Sequence, residues 1–502
     1  MTEWLDTLLI GTGTKGSQDR LSMKNNSFPR VSLVEYIHLH IHLHIRIHIH
    51  MHIHNRIRIH THTHTHTHPH ALPRAHWGSR GCHWWAMSSG PDEALWEQDS
   101  QWQQWKTAVR GFVGKLQLLE LCGGTGSAYI ALSKLLPAGT LQLAGHWDID
   151  DELAHWLQVV HSDCSQIHLG TSAGDILAID IDQFPKSHII VAGPPCPPWS
   201  KLGRRESFDD KRSALLWRVI DIVTHQARTG SLGLFVVENV ESLTHRNKAA
   251  GGRAPVNIIL EDLNSNLPSG WNVASVVCDS MDFGVPQRRN RVYIVGHSVQ
   301  LFGPAAFTLP LPLTKQVSLN TLLERLPAAE KQASKNTEQQ QQNLDDWKKL
   351  YKDLMLDTGS GTNSVAVVDI SRTPSGRTAW SSKAMHPDLV ECLTASGPNL
   401  HVFALGEGTG ELSIDRRMTG PERAALQGFP PNLCKLAGNT AKDKRIIGNA
   451  MTVPVIGAVM ATELVLLMDK ADADTISGWL DGKAPIYTYK QVYIHEVYMR
   501  ST

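Results

Sequence analysis

The chain has little charge and no excess of either sign. Charged residues make up 19% of it, below the roughly 25% usual in soluble domains, and 48 Lys plus Arg are matched by 48 Asp plus Glu. A strongly basic, histone-like protein is therefore excluded. Cysteine is sparse: Cys82, Cys122, Cys164, Cys196, Cys278, Cys392 and Cys434 are odd in number, scattered, and never form Cys-x-x-Cys. That spacing argues against a disulfide framework or structural zinc, and for a reducing intracellular compartment, nuclear in a eukaryote and cytoplasmic otherwise. No uninterrupted apolar run approaches the roughly 18 residues of a membrane span, so no membrane contact is expected. The opening Met1-Thr2-Glu3-Trp4 lacks the basic and then apolar regions of a secretory signal. What remains is a chain of 502 residues, 41% hydrophobic, with length for about three domains.

Two residue types are abundant, 27 His and 15 Trp. Fourteen of the histidines lie between His38 and His70, where Ile-His and Leu-His alternation passes into Thr-His. A strand of more than thirty residues is implausible. A translated simple repeat explains the tract better than metal binding, because a defined site needs fixed geometry; no metal site is expected in the chain. Trp77 to Trp105 is rich in Trp and Gln and poor in aliphatics, and reads as a short docking segment without an assigned function.

From Leu116 the pattern changes. Leu116–Leu121, Leu141–His146, His188–Gly193 and Gly233–Glu238 read as buried parallel strands, with helices such as Ala214–His225 between them. Asn272–Asp279 and Arg291–Gly296 read as a closing antiparallel pair, and Val455–Met468 as a late helix. This is the alternation of a doubly wound α/β sheet, with ligand at the carboxyl ends of its strands.

Three places carry chemistry. Glu120-Leu121-Cys122-Gly123-Gly124-Thr125-Gly126-Ser127 is a glycine-rich turn after a strand, suited to close approach of a nucleotide-like ligand or, equally, to a structural tight turn. Asp148 ends the second strand, where it can accept ribose hydroxyls. Asp175, in Gly174-Asp175-Ile176, precedes the third, where an adenine amino group could be read; either Asp could instead be a loop residue, and Asp175 a helix cap. No Lys pairs with Ser or Thr in the turn, which favours a nucleoside without a triphosphate. Next, Gly193-Pro194-Pro195-Cys196-Pro197-Pro198-Trp199-Ser200 holds one thiol in a stiff loop. A buried, inert cysteine is the usual reading, but a loop followed by Lys201, Arg204 and Arg205 favours a thiolate. Last, Glu238 and Asn239 emerge from an apolar strand, where a carboxyl should titrate high and could act as an acid.

In this order the segments resemble the cytosine-C5 methyltransferases from about Leu116 to Met468. Cys122 to Gly126 is similar to the family's Phe-x-Gly-x-Gly turn, Pro195-Cys196-Pro197 to its Pro-Cys-Gln loop, and Glu238-Asn239-Val240 to its Glu-Asn-Val. Gln287-Arg288-Arg289-Asn290-Arg291 resembles the Gln-Arg-x-x-Arg segment. Arg417 through Gln427-Gly428-Phe429-Pro430 resembles the helix ending in Gln-Gly-Phe-Pro, and Gly448-Asn449-Ala450-Met451-Thr452-Val453-Pro454 the terminal motif. Cys122 stands where the family often has Phe, and Pro197 where it has Gln.

The resemblance implies an α/β fold: a doubly wound Rossmann-like methyltransferase sheet with a smaller target-recognition domain and a low-complexity N-terminal extension. The expected boundaries are 1–115 for a disordered extension, 116–300 for the catalytic domain, 301–412 for target recognition, 413–468 for the return of the catalytic domain, and 469–502 for a tail. The implied catalytic residues are Cys196 as nucleophile toward cytosine C6, Glu238 on N3, Asn239 shaping the loop, and Arg289 and Arg291 on the base oxygen or a phosphate. Glu120, Cys122, Gly123, Gly124, Gly126, Asp148, Asp175, Pro195, Asn449 and Ala450 would bind S-adenosylmethionine. The implied substrate is a cytosine flipped out of double-stranded DNA, with a monomer the default state. Glu391 to Gly397 resembles the loop that enters the groove, and Lys348 to Lys352 a solvated helix face. Two rivals are a tRNA methyltransferase, disfavoured by the long recognition insert and the lack of Cys-Phe-Thr, and a non-catalytic nucleic-acid-binding relative, disfavoured by retention of Cys196, Glu238 and Arg291. Charge is segregated: Leu141 to Asp182 carries eight acidic residues and no Lys or Arg, and Lys201 to Arg218 carries six basic residues against three acidic.

Overall fold

Leu116–Leu121 is apolar except at Gln117 and Glu120, the pattern of a strand covered on both faces, and it forms β1 in the middle of a seven-stranded sheet. The computed structural model describes residues 93–195, 213–247, 250–305, 307–326, 336–358, 365–374, 388–397, 399–406 and 411–483, save Asp163 and Ser165. The His-rich tract and Cys196 lie outside the described residues. The further strands are β2 (Leu141–Asp148), β3 (Ile167–Leu169), β4 (Ile189–Ala192), β5 (Leu234–Val240), β6 (Trp271–Asp279), the two-residue β7 (Gln287–Arg288) and β8 (Asn290–Ser298). The sheet order is β3-β2-β1-β4-β5-β8-β6. β1 to β5 are parallel, and β8 runs antiparallel to both β5 and β6. The chain winds outward in one direction from β1 and in the other from β4, so a crevice opens between their carboxyl ends, where such sheets hold ligands.

Helices cover both faces. On one side lie α1 (Ser100–Ala108), α2 (Ser127–Leu135), α3 (Ala154–Val160) and, much later in the chain, α9 (Val453–Lys470); on the other lie α4 (Ser213–Thr229) and α5 (Pro255–Asn266). β1 alternates between them, Leu116 and Leu118 joining the first core and Leu119 and Leu121 the second. The run Ala441–Lys470, which ends in α9, is apolar and long enough over part of its length to span a bilayer, yet most of that part is buried inside the protein. α9 packs on α2 and α1, and the missing side chain of Gly457 makes room for the ring of Trp102 and for Ala131.

A smaller unit packs α6 (Glu338–Thr358) on an antiparallel sheet of β9 (Val365–Asp369), β11 (Leu400–Leu405) and β12 (Leu412–Arg417). Its own core joins Leu344, Trp347 and Tyr351 to Val368, Ile370 and Phe403. Lys348, expected on a solvated face, pairs with Asp415 of β12 at 2.6 Å. β10 (Val390–Glu391) leaves this unit to pair with β7. Three later helices, α7 (Gly420–Leu426), α8 (Ala441–Asn449) and α10 (Ala473–Leu480), return to the larger unit.

Three boundaries differ from expectation. Folded structure begins before residue 116: Trp96, Trp102 and Trp105 are buried in the first core, so these three supply packing where aliphatics are scarce, while Trp77 to Gly90 lie outside the described residues. The segment after 468 is not all tail, because Trp479 is buried and its indole N–H donates to the Ser231 carbonyl at 2.9 Å. The recognition sheet also runs to Arg417, since β12 completes its hydrogen bonding.

W102A removes a fully buried indole and is expected to cost about 3–5 kcal/mol of unfolding free energy, read as a lower urea midpoint. A second test uses His188, at the start of β4, whose Nδ1 accepts the Gln117 backbone N–H at 3.0 Å. Burial moves its pKa from 6.5 down to about 4. The unfolded chain takes up this proton below pH 6.5 and the folded chain only near pH 4, so stability is lost as the pH is lowered through that window, by up to about 3 kcal/mol. H188N keeps an acceptor and cannot charge, and is expected to flatten the profile of urea midpoint against pH there.

Candidate active site

The glycine turn leaves β1 through left-handed backbone at Cys122 (φ 48°), Gly124 (φ 56°) and Gly126 (φ 72°), with Gly126 capping α2. A non-glycine residue in this region stores strain, and burial together with the carboxylates of Asp148 and Asp175 pushes the Cys122 thiol far up. Asp148, at the tip of β2, accepts the Gly124 N–H at 2.9 Å through Oδ2 and the Asp150 N–H at 2.9 Å through Oδ1, which clamps turn to strand. Burial raises the Asp148 pKa. Gly174 presses on the Asp148 backbone where any side chain would collide, and this brings Asp175 beside Asp148. Asp175 follows the short strand β3, which sequence reading had not resolved. Exposed Ile149 and Leu177 flank the two carboxylates. Backbone N–H groups at a helix start, two acids and exposed apolar edges suit a nucleoside with a cationic tail, and offer no Lys for a triphosphate.

The loop after β4 meets this turn. The Gly193 N–H bonds the Leu121 carbonyl at 3.1 Å, and Pro194 and half-buried Pro195 lead out toward Cys196. At the tip of β5, buried Asn239 donates to the Pro194 carbonyl at 3.1 Å and so fixes the base of that loop. The neighbouring Glu238 pairs through Oε1 with Arg291 Nε at 3.1 Å. β8 supplies Arg291 because its antiparallel register sets Val240 opposite Arg291.

Arg289 sits elsewhere than expected. It is 3% exposed, and its guanidinium donates to the carbonyls of Leu393 at 2.7 Å, Ala450 at 2.9 Å and Gly448 at 3.3 Å. A group so engaged is a tie between loops and is not presented to a base or phosphate. Around it, Gln287 donates to the Leu426 carbonyl at 2.9 Å and accepts the Leu393 N–H at 2.8 Å, while Gln427 donates to the Ile447 carbonyl at 2.9 Å. Gly448 lies so close to the Thr394 backbone that a side chain would collide. Asn449 is exposed and Ala450 buried. The next residue, Met451, reaches Gly193 and accepts from the Ser127 hydroxyl at 3.0 Å, which joins this loop to the first turn.

Glu120 is also placed differently, beneath the turn. Its Oε2 lies 3.0 Å from His146 Nδ1 and 3.3 Å from His161 Nε2, and Oε1 accepts the Tyr129 N–H at 3.1 Å. Burial alone would raise its pKa, but the two imidazoles bring it down to about 2. Gly123 and Gly126 lie over those rings. Sequence reading missed His146 and His161, which come from β2 and the end of α3 and carry no local motif. It also missed Cys392 as a chemical group. Its Sγ lies 3.5 Å from Arg289 Nη1 and 3.8 Å from Arg291 Nη2. Burial acts to raise this thiol, and the two guanidinium groups outweigh it and hold it below the usual range.

Comparison with known proteins adds three findings. The family pattern described as C-5 cytosine-specific DNA methylase matches residues 116–463. The chain is 28% identical over 309 residues to the Type II methyltransferase M.NgoBI of Neisseria gonorrhoeae, covering 61% of this chain and 83% of that one. It is 26% identical over 350 residues to M.HpaII of Haemophilus parainfluenzae, covering 68% and 88%. Among solved structures, the Entamoeba histolytica methyltransferase EhMeth is matched at a TM-score of 0.45 and 16% identity, over 72% of this chain and 100% of that one.

At neutral pH, iodoacetamide is expected to label Cys392 ahead of Cys278 and Cys434, whose thiols burial pushes up to about 12. Peptide mass mapping reads the order, and R291M, which leaves Arg289 beside the thiol, should slow labelling of Cys392 while keeping it first.

Proposed function

Because the chain belongs to the family of C-5 cytosine-specific DNA methylases, we propose that it transfers the methyl group of S-adenosylmethionine to carbon 5 of a flipped-out cytosine in DNA. The observation that carries this reading is the Glu238–Arg291 pair at the tip of β5, with Asn239 holding the root of the nucleophile loop, one strand away from the glycine turn. The turn at Cys122 to Gly126, with Asp148 and Asp175, holds the cofactor, and Pro195 and Asn449 border it. Glu120 and Ala450 act behind this surface, as supports. When bound, S-adenosylmethionine supplies an electrophilic methyl group.

The protein's own residues do the rest. The Cys196 thiolate adds to C6, and the C5–C6 π electrons move toward C5 and the ring nitrogen. Glu238 shares a proton with N3 as the base is attacked and stabilises the charge arriving there, with Arg291 fixing its orientation. C5 then acts as the carbon nucleophile. After methylation the C5 proton is lost, the ring double bond re-forms, and Cys196 leaves as thiolate. Cys392, held by the same two guanidinium groups, lines the wall beside this pair.

A random duplex pool incubated with the purified chain and methyl-labelled cofactor is expected to acquire 5-methylcytosine, with C196A inactive and E238Q slowed by about 10²–10⁴-fold. A 5-fluorocytosine duplex should remain crosslinked at Cys196, because fluorine blocks loss from C5. Absence of both product and crosslink would remove the mechanism. Total tRNA methylated in preference to duplex would change the polymer and leave the chemistry.

A further inference from the structure

The methyl-transfer reading gives Glu120, His146 and His161 no chemical task, yet these side chains converge from β1, β2 and the end of α3. Their donor atoms all lie within 4.8 Å of one another. Glu120 is 1% exposed, His146 0% and His161 3%. His161 Nδ1 has no hydrogen-bond partner, and its Nε2 meets Glu120 Oε2 only as an ion-pair contact at 3.3 Å, outside good hydrogen-bond alignment. Burying an imidazole nitrogen against a carboxylate without forming a bond is costly, and a cation between the three donors would engage all of them. Ligand bonds of about 2.0–2.1 Å in a tetrahedral zinc site place donors roughly 3.3 Å apart. The two measured separations from Glu120 Oε2, 3.0 and 3.3 Å, are close to that spacing. Two imidazoles and one carboxylate form a borderline-soft donor set that suits zinc better than calcium or magnesium.

We infer that Glu120, His146 and His161 form a zinc site beneath the glycine turn. Its role is structural, with these three side chains as ligands and a water molecule as the fourth. It ties β1, β2 and α3 together, and because Gly123 and Gly126 rest on the two imidazoles, it stiffens the floor of the crevice. Cys164, three residues after His161, stays outside the set, with Sγ facing the Leu143 carbonyl at 3.8 Å and the Gln166 N–H at 3.3 Å. The zinc fingerprints of sequence, paired cysteines or closely spaced histidines, do not mark these three residues, because each comes from a different element.

The His38–His70 tract would bind metal on its own account, so the test uses the full chain with those fourteen histidines replaced by serine. Expressed with zinc and dialysed, this chain is expected to retain about one equivalent by elemental analysis, and to melt at lower temperature after chelation. H161N and E120Q introduced into it should each lose the equivalent while keeping the parent's far-ultraviolet circular dichroism. No retained metal in the serine-tract chain, or retention by folded H161N and E120Q, overturns the site. If neither variant folds, cobalt(II) in the serine-tract chain decides. A four-coordinate visible spectrum without a thiolate charge-transfer band supports the Glu-His-His set, and any other spectrum overturns it.

Discussion

One buried guanidinium holds the two units in working relation. A charge removed from water costs several kcal/mol unless its donors are met, and Arg289 meets the cost with carbonyls of Leu393, Gly448 and Ala450. Those carbonyls belong to segments that are distant in sequence: the loop that leaves the small sheet, and the end of α8. A lysine could not span them, having a single compact head in place of a planar fork. Everything around the site leans on this arrangement. The Leu393–Ala395 loop can lie on Gly448 only because both are tied to the same group, and Arg291 is aimed at Glu238 from the strand that carries Arg289.

Much of the fold was legible because parallel strands buried on two faces leave nearly uninterrupted apolar runs. Leu116–Leu121 was read with its observed bounds, and the antiparallel pair of β6 and β8 to within a few residues. What escaped was short or depended on distant partners. β3 has three residues and all are half-buried, too few to show a period. The tryptophans near residue 100 looked like surface docking material, since no amphipathic aliphatic pattern accompanies them, and only the arrival of α9 makes them core. At the site, residues whose roles rest on strand-end position were placed by their motifs. Glu120 and Arg289 were assigned to ligand because motif strings carry no information on which face a side chain takes, and both turned out to satisfy internal partners. Cys392, His146 and His161 are invisible locally, because their chemistry comes from neighbours contributed by other elements.

The charge balance also resolves into opposed fields. Asp148 and Asp175 lie at the β2 side of the crevice, with Asp150 and Glu152 nearby but paired to Arg445, and Arg291 lies at the β5 and β8 side. A cationic sulfonium and a polyanion would each meet the opposite sign. Arg218 does not contribute to the second field. Its guanidinium is turned back to the carbonyls of Ile176 and Ile179, where it fastens the segment that follows Asp175.

The position of α9 imposes an order in time. The chain emerges from the ribosome amino end first, so the glycine turn and α2 exist well before the helix that covers them. At about 5–20 residues per second, the interval between Gly126 and Lys470 is on the order of twenty to seventy seconds. Throughout it Trp102, Ala131 and the face of α2 have no cover, and the Ser127 hydroxyl has no Met451 carbonyl to meet. The nascent protein thus carries exposed apolar surface for all of that time, and a message cut short just after Pro454 yields a chain with the motifs from Cys122 to Pro454 and without most of the helix that closes the core.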